Sequence, residues 1–268
     1  MERIVELGPG VFALRYRFYD QQIGVVVGPE DVLVIDTRST HAQAAELRAD
    51  ITRLTPLPVT IVVNTHGHYD HCFGNRPFRP AAIWGHVRCV AMLEQTGERQ
   101  RAEMRADAPA LAAELDEVVI DPPDRTFDEA VTIDLGDRPI ELRYLGRGHT
   151  DNDIVVRLPD DGVLFAGDLL ENGAPPYFGD GYPMDWPATV EALIRIAPDV
   201  VVPGHGDVAD RPFVSAQLDD LRAVAALARE VIAGTIGVAD AIGRGPFGRA
   251  RSREPIERAL AQLRGELD

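Results

Sequence analysis

The chain has 268 residues, 45% hydrophobic and 26% charged, which excludes disordered and fibrous classes and allows a sizeable buried core. Its 43 acids against 27 bases give a formal charge of −16, which argues against nucleic acid or an anionic membrane as the main partner. Two cysteines cannot form a disulfide framework, the N-terminal Met1-Glu2-Arg3 is charged where a signal peptide needs apolar residues, and no run approaches the roughly 18 apolar residues of a spanning helix.

A cytoplasmic protein is therefore expected. In chain order, the first half predicts strands at Val11–Tyr19, Ile23–Val27 and Val32–Asp36, broken by turn residues such as Gly28-Pro29. A helix over Thr40–Leu54 follows, capped by Ser39 or Thr40 and closed by Pro56. Val59–Asn64 reads as a buried strand, then a short strand at Ala81–Trp84, a helix from His86 and another through about Glu98–Leu115. The second half predicts strands at Val131–Leu135, Ile140–Leu145, Ile154–Leu158 and Val163–Ala166. An aromatic loop (Pro175 to Trp186), a helix near Ala188–Ile196, a strand at Asp199–Val202 and helices from about Arg211 complete the chain. Strand clusters in both halves, each followed by helices, predict two packed sheets with helices outside: an α/β, four-layer αββα sandwich.

Charge is unevenly spread. Residues 107–137 hold ten acids and one base, Arg125, whereas Arg244, Arg249, Arg251 and Arg253 form a basic stretch. Each reads as solvated surface; the alternatives are an acidic rim near a site and an arm that pairs with another subunit.

Chemistry concentrates in the histidines. Directly after the strand Val59–Val63 comes Asn64-Thr65-His66-Gly67-His68-Tyr69-Asp70-His71, four metal-binding side chains within six positions. Residues two apart in extended chain point the same way, so His66 and His68 can grip one ion, while Asp70 and His71 can reach a second. Gly67 removes bulk between the ligands and lets the loop turn tightly. His149 in Gly148-His149-Thr150, Asp168 in Ala166-Gly167-Asp168 and His205 in Pro203-Gly204-His205 each follow an apolar strand. Together they repeat one design, a strand that delivers a polar side chain to one sheet edge.

These motifs resemble those of the metallo-β-lactamase-fold hydrolases over about residues 10 to 210. Thr65–His71 is similar to the family's His-x-His-x-Asp-His motif, and His149, Asp168 and His205 resemble its later metal-binding positions. The resemblance implies a catalytic core over residues 1–210 with a helical segment, 211–268, packed on it or extending from it. It implies two divalent metal ions, zinc first and manganese or iron compatible with the ligand types. One ion would be held by His66, His68 and His149, the other by Asp70, His71 and His205, with Asp168 and a hydroxide bridging them. Asp36 would orient ligands from behind. Asp70 and Tyr69 are the candidate catalytic side chains, Asp70 as a proton shuttle and Tyr69 as a donor to the substrate oxygen.

An aspartate at position 168, where β-lactamases of the family usually hold Cys or Ser, resembles the glyoxalase II and lactonase branch. The Asp151-Asn152 pair departs from the family's usual Pro-Gly and changes a turn, not a ligand. The expected function is hydrolysis of a small-molecule ester, lactone, thioester or amide; the alternative is an iron-dependent oxidoreductase of the same fold, similar to persulfide dioxygenases. Tyr177, Phe178, Tyr182 and Trp186 are candidate substrate contacts, or else aromatics packed onto the core. His41 and His86 read as capping or surface residues and Cys72 as a buried free thiol. The C-terminal helices are the candidate surface for a homo-oligomer.

Overall fold

The computed structural model describes every residue except Met1, Asp137 and Asp268, so Asp137 of the acidic stretch lies outside the described residues. Among the described residues, twelve strands form two sheets. The first runs in sequence order: β1 (Arg3–Gly8), β2 (Val11–Tyr16), β3 (Gln21–Val27), β4 (Val32–Ile35), β5 (Val59–Val63), β6 (Ala82–His86) and β7 (Arg125–Phe127). The second holds β8 (Ala130–Asp134), β9 (Pro139–Tyr144), β10 (Ile154–Leu158), β11 (Val163–Asn172) and β12 (Val200–Gly206). One pair, His205 opposite Gln21, joins β12 to β3 and makes the two sheets continuous.

The helices are α1 (His41–Leu54), α2 (Tyr69–Cys72), α3 (Val87–Asp107), α4 (Ala112–Asp116), α5 (Trp186–Ile196), α6 (Arg211–Ile232), α7 (Val238–Arg244), α8 (Gly248–Arg251) and α9 (Arg253–Leu263). Between the sheets lies an apolar core that includes Leu33, Ile35 and Val63 from one side and Ile140, Val163 and Phe165 from the other. α1 buries Ala44, Leu47 and Ile51 against the outer face of the first sheet. On the far side, α5 and α6 bury Val190, Leu193, Leu218 and Leu221 against the second. These four layers are the expected αββα sandwich, held mainly by removal of aliphatic side chains from water.

Several boundaries differ from expectation for visible reasons. The strand expected through Tyr19 ends at Tyr16, because Tyr19 and Asp20 turn the chain with φ of 55° and 56°. One 21-residue helix, α3, replaces two, since Gly97 continues the helix and lets Ile120 approach its backbone. Thr40 does cap α1, its hydroxyl accepting from the Gln43 N–H. Likewise His86 caps α3, and its ring stacks on Tyr144 at 4.3 Å. Strand β11 runs on past Ala166 to Asn172, and a bulge at Gly167 (φ 54°) re-aims the following residue, Asp168.

Candidate metal centre

Each sheet contributes part of the site. His66 and His68 leave the end of β5, and Asp70 and His71 sit in the single turn of α2. From the second sheet come His149, in the β9–β10 connection, Asp168 on β11 and His205 on β12. Gly204 is required on β12: a Cβ there would lie 1.9 Å from an Asp168 carboxylate oxygen, so any larger residue would displace that group.

The seven side chains converge. His68 Nδ1 lies 3.1 Å from His66 Nε2 and 2.8 Å from His149 Nε2. On the other side, Asp70 Oδ2 lies 3.4 Å from His71 Nε2 and 3.3 Å from His205 Nε2. Asp168 stands between the two triads. Its Oδ2 is 3.8 Å from His66 Nε2, 3.5 Å from His149 Nε2 and 3.2 Å from His205 Nε2, and its Oδ1 is 3.3 Å from His71 Nε2.

The fit to a metal rests on where the ring protons go. Each histidine has an acceptor for its outward nitrogen. His71 Nδ1 donates to Asp36 Oδ2 at 2.8 Å, His205 Nδ1 to the Tyr19 carbonyl at 2.7 Å, and His149 Nδ1 to the Tyr177 carbonyl at 3.0 Å. His68 Nε2 donates to Asp180 at 3.1 Å. Thr65 Oγ1 donates to Asp36, which leaves its lone pair to accept from His66 Nδ1 at 3.1 Å. With the rings neutral, all five inward nitrogens present lone pairs, crowded against one another and against two carboxylates. The ligand atoms of each triad lie within 4.8 Å of one another, and His71 Nε2 and Asp168 Oδ1 are buried without a hydrogen-bond partner. Divalent ions would satisfy all of these groups at once.

The electrostatics agree. Burial pushes the His66 and His149 pKa values down, His149 to about 4, so both stay neutral and available as ligands. Burial would also lower His71 and His205, but Asp168 and Asp70 outweigh it and raise both. Burial opposes ionisation of Asp70 and Asp168, yet the facing histidines hold both carboxyls well below the usual range. Without an ion, protons therefore collect on His71 and His205; a bound ion takes their place.

A cleft of about 490 Å³ opens over this centre, walled in part by Tyr19, Tyr69, Glu171, Tyr177 and Asp180. A model of the metallo-beta-lactamase superfamily matches residues 16–205, the span that contains every converging side chain. The chain belongs to that superfamily. It is a metal-dependent hydrolase, as the sequence motifs led one to expect. The chain is 28% identical to a metallo-beta-lactamase type 2 of Bacteroides fragilis over 189 residues, 68% of each chain. It is also 28% identical to that of Bacillus cereus over 206 residues, 74% of this chain and 72% of the relative. A linear primary-alkylsulfatase of a Pseudomonas strain is 23% identical over 68% of this chain and 40% of its own length. Among solved structures, a metallo-beta-lactamase from Pontibacter korlensis superposes with TM-score 0.68 at 21% identity, covering 82% of this chain and 98% of its own.

Of the four aromatics considered for substrate contact, Tyr177 lines this cleft, 53% exposed. Phe178 and Trp186 are not at the wall: both are buried in the core against α5 and α6, where the Trp186 Nε1–H donates to the Leu169 carbonyl. Tyr182 lies outside the cleft lining, its ring under the Arg147 guanidinium at 4.4 Å. Sequence reasoning missed Asp180, Glu171 and the Tyr19 carbonyl. Asp180 is held near pKa 2 by the His68 hydrogen bond, and Glu171 is raised to about 7 by burial and by Asp168. Cys72 is buried and free, its thiol donating to the His66 carbonyl. Among the described residues no helix is long and apolar enough to cross a membrane.

Proposed function

We propose that the chain holds two divalent ions, zinc first, and hydrolyses an ester, lactone, thioester or amide of a small molecule. The observation that carries this reading is the place of Asp168, whose two oxygens face both triads of inward lone pairs. His66, His68 and His149 would hold one ion and Asp70, His71 and His205 the other, with Asp168 shared. When bound, the ions supply Lewis-acid chemistry, acidifying water and polarising the scissile carbonyl.

The chain's own residues do the rest. Asp70, at the cleft floor beside His205, is placed to accept a proton from the attacking water and return it to the leaving group. Burial, then Asp70, pushes the Tyr69 phenol up, so it stays protonated and can donate to a substrate oxygen. The cleft volume suits a small molecule.

The test is elemental analysis of purified protein followed by zinc reconstitution and a panel of lactones, thioesters, β-lactams and alkyl sulfates. About two ions per chain and turnover abolished by chelation are expected. A fully metallated protein inactive across the panel, or one binding a single ion, overturns the proposal.

A further inference from the structure

The chemistry of the cleft walls goes beyond the reaction to the charge of the substrate. Among the described residues that line it, no lysine or arginine appears. Besides Asp70 and Asp168, five carboxylates do: Asp20, Glu103, Asp107, Glu171 and Asp180. Asp20 is offset by Arg15, whose Nη2 donates to it at 2.7 Å. Glu103 and Asp107, on exposed positions of α3, have no arginine ion pair among the described residues, and Asp180 meets the His68 ring at 3.1 Å with the charge of Arg99 acting on it from further off. Arg258, near the loop, is turned to the Gly181 carbonyl and is not part of the lining.

The second observation concerns aromatic rings. Tyr19 and Tyr177 stand in the cleft 42% and 53% exposed, large rings that the core has not taken up. Tyr69 joins Tyr19 at 6.0 Å between ring centroids. Tyr19 holds its place at a φ of 55°, a conformation costly for a non-glycine residue and found where a side chain must be aimed. Tyrosine faces carry negative potential and attract cations, most strongly where carboxylates add to the field.

Two dications set against Asp70 and Asp168 leave a surplus near +2 at the floor. Glu103, Asp107 and Asp180 face it across the cleft, with Glu171 deeper in, so the cleft is polarised, positive at the floor and negative along its sides. We propose that this cleft selects a cationic acyl substrate, with its carbonyl at the metal centre and its ammonium group among the tyrosines and wall carboxylates. The inference rests on the hydrolase reading above for the position of the carbonyl; recognition of the cation does not depend on turnover.

The test separates the two. Binding of choline and of its neutral isostere 3,3-dimethylbutan-1-ol to the zinc-loaded protein is measured by ligand-observed NMR titration. Choline should bind about tenfold more tightly, a preference that weakens as salt is raised. The double substitution Glu103→Lys, Asp107→Lys should bring the ratio close to one. Equal affinities in the unsubstituted protein, or a ratio unmoved by the double substitution, overturn the proposal. In parallel, kcat/KM is compared for acetylthiocholine and S-(3,3-dimethylbutyl) thioacetate. Hydrolysis of both at equal efficiency overturns the cation preference and leaves the hydrolase reading standing. A choline preference without hydrolysis of either thioester supports cation recognition and counts against thioester cleavage alone.

Discussion

Asp36 accepts the Nδ1 proton of His71 at 2.8 Å while its other oxygen takes the Thr65 N–H, also at 2.8 Å. One buried carboxylate at the end of β4 thus sets the tautomer of a ligand and ties down the backbone that leads into the His66–His71 turn. Its own φ of 66° shows how the chain bends to place it. Asp36→Asn should keep the fold but weaken this grip, lowering metal affinity at the Asp70, His71 and His205 triad by about 10–100-fold. Competition with a chromophoric chelator measures this, and unchanged affinity would mean that His71 is oriented by something else.

Ion removal should cost stability, because the clustered side chains hang from both sheets. At a free ion concentration about 1,000 times Kd, binding adds about 4 kcal/mol. Chelated protein should therefore melt several degrees lower than the zinc-loaded form by calorimetry, with recovery on adding zinc. A melting temperature indifferent to zinc would contradict the arrangement.

A pH effect is written into Asp153. Burial raises its carboxyl to about 7, although the Thr150 N–H and hydroxyl both donate to it. A carboxyl raised in the folded state holds a proton that the unfolded chain releases near 4. Its contribution is fullest below pH 4 and is lost as pH rises through about 7. Asp153→Asn, which can keep the Thr150 contacts with its own amide, should remove this fall. In metal-free protein the melting temperature of the variant should drop less than that of the unsubstituted chain between pH 5 and 8.

The aromatic residues of the loop divide into two behaviours. Trp186→Ala, deep in the core beside His149 (5.9 Å between centroids), should cost about 3–5 kcal/mol in urea unfolding. Tyr177→Ala, at an exposed ring whose backbone carbonyl still serves His149, should change stability by less than about 0.5 kcal/mol and show itself in KM.

Much of the centre was legible because its signals are local. An apolar strand followed by a polar side chain beside a glycine is visible in one dimension, and it recurs at His66, Asp168 and His205. Asp36 was equally readable at the end of Val32–Ile35. The supporting shell was not. Asp180 becomes meaningful only when a loop 112 residues away in sequence folds over His68, and nothing in Phe178-Gly179-Asp180-Gly181 announces it. Composition also cannot say which aromatics face inward: Trp186 begins a helix whose apolar face enters the core, while Tyr177, nine residues earlier, does not. The acidic stretch divides as well. Asp121 and Asp124 are bound by Arg79, while Asp107 reaches the cleft.

The order of strands has a consequence for how this protein could be taken apart. Every strand of the first sheet precedes Asp128, and every strand of the second follows Glu129. A chain opened between those two exposed residues would yield one fragment bearing His66, His68, Asp70 and His71, and another bearing His149, Asp168 and His205. Under the proposed ligand assignment neither fragment could complete either triad. Coexpressed as separate polypeptides, the pieces would become a complementation pair whose reunion an ion completes, a reporter that reads metal supply as enzyme recovered.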